Sequence, residues 1–102
     1  MEPAREILER IVGTWQAEQI WLFGSRARGE ASATSDWDFL AVVPDAVSDS
    51  ALDPLVGWRL RKETGVRADV VACRVREFEE DRHTPNTLAY EAANRGVLVF
   101  ER

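Results

Sequence analysis

The sequence predicts an α/β protein of α+β layout: a small mixed β-sheet with helices packed on it, in a single domain over residues 1–102. Three observations lead there. Two apolar runs of strand length, Ile20-Trp21-Leu22-Phe23 and Phe39-Leu40-Ala41-Val42-Val43, are bounded by Gly24 and Pro44. Segments of helical period alternate with such runs along the chain. The length of 102 residues, 45% of them apolar, suffices for one compact core.

The elements follow in order. Pro3 suits a first helical turn, and Ile7, Leu8, Ile11, Val12 and Trp15 recur at three- and four-residue spacing, so a helix is expected from Pro3 to Trp15. Gln19 to Phe23 reads as a strand, apolar on both faces and therefore central. Gly24 ends it, and Ser25 to Gly29 has the length of a short helix. Trp37 to Val43 is the second strand, and Pro44 to Ser50 a surface loop. Asp53 as N-cap, Pro54 at the first position and Gly65 after the last turn delimit another helix. Its apolar face draws on Leu52, Leu55, Val56 and Leu60. Val66 to Cys73 reads as the third strand and Val75 to Asp81 as a short helix. Thr84 and Pro85 open the last helix, Gly96 closes it, and Val97 to Phe100 forms a final strand. No repeat, low-complexity segment or linker interrupts this plan.

The chemistry concentrates in Gly24-Ser25, followed ten residues later by Asp36-Trp37-Asp38. Strand side chains alternate between faces, so Asp36 and Asp38 share one face and Trp37 packs on the other. Paired carboxylates there are poorly suited to packing and well suited to magnesium, which takes oxygen ligands and substrate phosphates. Asp69 is a third acid, inside the apolar stretch Val66-Arg67-Ala68-Asp69-Val70-Val71, where it needs a partner. That partner is either a metal shared with Asp36 and Asp38 or a structural ion pair with Arg67 or Arg74. Gly24 permits close approach of a ligand, and Ser25 adds a hydroxyl. Together they form either a phosphate-binding turn or a plain strand-to-helix connection. Arg26 and Arg28 are candidates for triphosphate oxygens, with a solvated helix face as the alternative.

Other residues carry less. His83 is the only histidine, so neither a His-based metal site nor a Ser-His-Asp triad has support. Cys73 is the only cysteine, excludes an internal disulfide and reads as a small apolar filler. Trp15, Trp21 and Trp58 read as core or interface anchors, and Tyr90 as a packing residue. The net charge of −5 disfavours direct nucleic-acid binding. No apolar run nears the roughly 20 residues of a membrane helix, and no secretory h-region opens the chain. A cytoplasmic protein is expected, with no membrane association.

The stretch from Gly24-Ser25 through Asp36-Trp37-Asp38-Phe39-Leu40 resembles the signature of minimal nucleotidyltransferases (MNT), the small members of the DNA-polymerase-β-like superfamily. Ala68-Asp69-Val70-Val71 is similar to that family's third-aspartate strand. Arg76-Glu77-Phe78, Thr84-Pro85 and Gly96-Val97-Leu98-Val99-Phe100-Glu101 are similar to its ending. The resemblance implies a polymerase-β-like fold in which Asp36, Asp38 and Asp69 are catalytic and hold two Mg2+ ions. It also implies that Gly24 and Ser25 bind the phosphates of ATP and that Asp69 assists deprotonation of an acceptor. The bulky Trp37 and Phe39 depart from the small aliphatics usual there, and altered packing is expected from them.

Members of this size are antitoxins paired with a helical HEPN toxin. The resemblance therefore implies transfer of AMP to a tyrosine of such a partner within a hetero-oligomer. Two other readings stay open. The chain would neutralise a toxin by covering it, or would nucleotidylate a small-molecule hydroxyl, a homodimer then supplying the missing acceptor wall.

Overall fold

A computed structural model describes residues 4–102. Its elements are α1 (Arg5–Trp15), β1 (Gln19–Phe23), β2 (Trp37–Val43), a 3-10 turn (Ser50–Leu52), α2 (Pro54–Thr64), β3 (Ala68–Arg74), α3 (Val75–Asp81), α4 (Leu88–Arg95) and β4 (Val97–Glu101). The strands form one mixed sheet in the order β3-β2-β1-β4. β1 is antiparallel to both its neighbours, whereas β2 and β3 run parallel. A parallel pair needs a crossover, and the segment containing α2 provides it.

Two apolar clusters sandwich the sheet. Phe39, Ala41 and Val43 of β2 join Ile7, Ile11 and Trp15 of α1, Leu60 of α2 and Ala68 of β3 on one face. Leu40 and Val42 join Phe78 of α3 and Ala89 and Ala92 of α4 on the other. Side chains alternate along β2 between these clusters, which explains why its apolar run is unbroken. Trp15 is buried, and its indole N–H donates to Ala51 O at 2.7 Å. Trp21 stacks on Phe78, with ring centroids 5.7 Å apart. Among the described residues, no helix is long and apolar enough to cross a membrane.

Several boundaries differ from expectation, each for a local reason. Pro3 lies outside the described residues. The third strand starts at Ala68 rather than Val66, Arg67 O still accepting from Trp37 N at 2.9 Å. Ser25 to Gly29 is a set of turns rather than a helix. Ala27 N and Arg28 N both donate to Gly24 O, and Gly29 at φ 73° prevents propagation. Thr84 and Pro85 belong to a turn, because Asn86 takes φ 72°. The N-cap of α4 is Thr87, whose side chain accepts from Tyr90 N. The final strand extends one residue past Phe100, to Glu101.

Helix α2 matches its punctuation. The Asp53 side chain accepts from Leu55 N at 2.9 Å, Pro54 opens the first turn, and Gly65 adopts φ 72° at the C-terminus. Its apolar face is narrower than the sequence suggests, since Leu55 is 59% exposed. Gly57 supplies the contact instead. A Cβ there would stand 2.5 Å from Val70 O, so the missing side chain lets α2 rest directly on β3.

Candidate active site

β2 and β3 lie side by side in parallel, and Asp38 is the register partner of Asp69. Partners in a parallel pair face the same side, and Asp38 and Asp69 alternate away from Trp37 and Ala68. Both carboxylates therefore project on the side of the sheet that carries α3 and α4. Trp37 stacks on Phe39 across the opposite face, with planes 5° apart, as the period-2 pattern requires. Asp36 immediately precedes β2.

Gly24 brings the glycine-serine turn to the same end of the sheet, because Phe23 pairs with Asp38. Gly24 adopts φ 76°, and a Cβ on it would stand 2.3 Å from Asp38 Oδ2. The Asp38 carboxylate thus lies against the bare Cα of Gly24, and glycine is needed both for its dihedral and for space. Gly24 and Ser25 close the turn with their carbonyls, Ser25 O accepting from Glu30 N at 3.0 Å.

The acidic charge is only partly compensated. Burial raises the Asp38 pKa, and the charges of Asp69 and Asp36 raise it further, while Arg28 opposes them. Asp36 Oδ1 is buried and accepts no hydrogen bond; Arg67 Nε, 3.2 Å away, attracts it as an ion pair without the alignment of one. Asp69 pairs with neither Arg67 nor Arg74. Its partner is Arg61 of α2, whose Nη1 donates to Asp69 Oδ1 at 3.0 Å while Nη2 reaches Asp36 Oδ2 at 3.5 Å. Arg74 instead pairs with Asp49 at 2.7 Å.

The candidate phosphate ligands divide. The Arg26 guanidinium donates twice to Ser35 O, at 3.1 and 2.8 Å, and stacks 4.1 Å over the Trp37 ring. It braces the loop from Gly24 to Asp36. Arg28 donates to Glu30 at 2.6 Å and lies 3.6 Å from Glu91. The hydrogen bond to Glu30 raises the Arg28 pKa, and Glu91 and then Asp38 act in the same direction more weakly.

An open cleft of about 440 Å³ adjoins the acids, lined by Asp38, Asp69, Arg61, Trp58, Val71 and Leu88 among others. Trp58 is 56% exposed there, with Lys62 Nζ 5.2 Å from the ring centroid, so this tryptophan anchors no core. His83 lies in the turn after α3. Cys73 sits in β3, where burial, then Glu77 and Asp81, push its thiol up to about 12.

Whether the acids suit a divalent cation can be judged from their chemistry. All three offer hard oxygen donors, one buried oxygen lacks a hydrogen bond, and Asp38 is burdened by its neighbours' charge. These features fit magnesium in kind. Among the described residues, however, no three such side chains stand gathered as a ready metal cage. The Arg61 guanidinium spans two of them instead.

Sequence reasoning did not single out Arg61 or Gly57. The two are four residues apart, on one face of α2, so the glycine that brings the helix onto β3 also carries the arginine to Asp69. Nothing in the sequence separates Arg61 from Arg59 or Lys62; only the fold does.

Comparisons with known proteins bear on the fold and the family. No curated protein sequence matches the chain. Among solved structures, a putative nucleotidyltransferase from Sulfolobus solfataricus superposes with a TM-score of 0.64 at 24% identity, covering 99% of this chain and 79% of that one. A chain of a toxin–antitoxin complex with AMP-PNP gives 0.62 at 17% identity, covering 94% and 72%. A chain of the complex between a tri-AMPylated Shewanella oneidensis HEPN toxin and its MNT antitoxin gives 0.55 at 16% identity, covering 96% and 72%. At these identities the likeness is one of fold. The family model described as nucleotidyltransferase domain matches residues 4–95, nearly the whole chain, and on that match the chain belongs to the nucleotidyltransferase domain family.

Proposed function

We propose that this chain, acting as one minimal nucleotidyltransferase domain over residues 1–102, transfers AMP from ATP to a tyrosine hydroxyl of a partner HEPN toxin and so serves as its antitoxin in the cytoplasm. The observation that carries the reading is the pairing of Asp38 with Asp69 beside the bare Gly24 turn. Solved relatives of the same fold include a complex with AMP-PNP and one whose HEPN toxin is tri-AMPylated, which supports the nucleotide and the partner proposed.

In this reading Asp36, Asp38 and Asp69 would hold two magnesium ions. Bound there, magnesium would neutralise charge developing on the attacking and leaving oxygens. Gly24 and Ser25 would receive the triphosphate on the backbone, with Arg28 adding positive charge nearby. Arg26 would keep the loop in shape through Ser35 and Trp37. The acceptor oxygen forms its bond to the α-phosphorus as the bond to pyrophosphate breaks, and the hydroxyl proton passes to Asp69. The Asp69 side chain is 62% exposed beside the cleft, so an acceptor can reach it.

A second reading, inhibition by covering alone, draws on the apolar exposure of Leu55, Trp58, Val71 and Leu88. Intact mass spectrometry of a HEPN toxin incubated with this protein, ATP and magnesium separates the two. Gains of whole AMP units (about 329 Da each), lost with Asp36→Asn, are expected from metal-assisted transfer. A stable complex with no mass gain would favour covering. Neither gain nor complex would refute both.

A further inference from the structure

We propose that Arg61 is the resident counter-ion of the acidic site, so that its pairing competes with metal loading and raises the cation concentration at which the site fills. The inference rests on the reading of Asp36, Asp38 and Asp69 as metal ligands. It names a residue outside that ligand set which controls its occupancy.

Four observations carry it. The Arg61 guanidinium forks between carboxylates that are distant in sequence, at 3.0 Å from Asp69 and 3.5 Å from Asp36. It is the one cation among the described residues that bridges two of the three acids. Its side chain is 34% exposed, against 65% for Arg67, so water screens its attraction less. Finally, Gly57 seats α2 against the backbone of β3, which fixes the height of Arg61 over Asp69.

Arg61 shares a basic purpose with a metal, relieving repulsion between acids. It competes with one for their charge. Asp69 Oδ1 and Asp36 Oδ2 accept from its two terminal nitrogens, so an ion seated among the acids meets a positive charge already held there. Metal entry therefore works against the Arg61 pairs, and removal of Arg61 lowers that opposition while leaving the metal-free acids less compensated.

Binding of Mn2+ by electron paramagnetic resonance, without nucleotide, tests this on the full chain. Arg61→Gln is expected to bind Mn2+ more tightly than wild type, by about fivefold or more given the loss of a competing unit charge. Arg59→Gln removes the same charge from a different face of the same helix and is expected to stay within about twofold. Arg61→Lys keeps a charge without the fork and is expected to fall between wild type and Arg61→Gln. Metal-free Arg61→Gln should also melt lower than wild type and gain more from saturating Mn2+. If Arg61→Gln fails to fold, Arg61→Lys decides alone. Affinity for Mn2+ that is equal or weaker in the decisive Arg61 variant overturns the counter-ion role and leaves the nucleotidyltransferase reading standing. Absence of Mn2+ binding in every protein, even with ATP added, overturns both.

Discussion

Replacing Gly24 by alanine separates two costs that the structure keeps distinct. Gly24, Gly29 and Gly65 all adopt positive φ, at 76°, 73° and 72°. An L-residue in the left-handed region costs about 1–2 kcal/mol, so each substitution carries that strain. Gly29 and Gly65 face open space, with no atom within 4 Å of a built Cβ, and strain is their whole cost. Gly24 adds the clash with Asp38 Oδ2 at 2.3 Å. Relief requires the Asp38 side chain to leave its rotamer, at about 0.5–1.5 kcal/mol more. Gly24→Ala should therefore lose about 1.5–3.5 kcal/mol, against about 1–2 for the other two. Urea denaturation followed by tryptophan fluorescence measures all three on one scale. The excess should disappear in an Asp38→Ala background, which removes the colliding group. Equal losses at the three glycines, or an excess that survives Asp38→Ala, would refute the claim that the carboxylate lies on the turn.

Two further outcomes follow from charge. Burial and two like charges raise the Asp38 pKa, so the folded chain binds that proton more tightly than the unfolded chain; stability then falls as pH rises above the reference value of 3.8. Asp38→Asn should accordingly abolish transfer yet match or exceed wild-type stability at neutral pH without metal, and a clear loss in urea would contradict this. Cys73, with its thiol pushed up to about 12 from 9.0, should resist iodoacetamide in the native state at neutral pH, and its contribution to stability should decline between those values as the unfolded thiol ionises. Alkylation at the rate seen in urea would contradict the burial assigned to it.

The legible parts of this protein are those set by neighbours in sequence. β1, β2 and α3 have the limits expected from Gly24, Pro44 and the apolar pattern, and α2 is capped by Asp53 and Gly65 as read. The errors arise where two local signals compete. Thr84-Pro85 is a plausible helix opening, but Asn86 turns left-handed and hands the cap to Thr87. A site shared by Asp38 and Asp69 is one of the two readings the sequence leaves open at Asp69, and the register of β2 and β3 sets the two side by side. The arginine beside Asp69 is not legible there, because Arg61 reaches it through the packing of α2 on β3, and Gly57 makes that packing close for reasons visible only in Val70.

The parallel register of β2 and β3 also guards against misfolding. A slip of one residue in β3 would turn every one of its side chains to the other face. Ala68, Val70 and Ala72 would leave the cluster around α1 and α2, and Asp69 would enter it without a partner. The misregistered sheet is thus penalised by the same carboxylate that the correct one presents to the cleft. A one-residue slip therefore loses apolar packing and the alignment of Asp69 with Asp38 together.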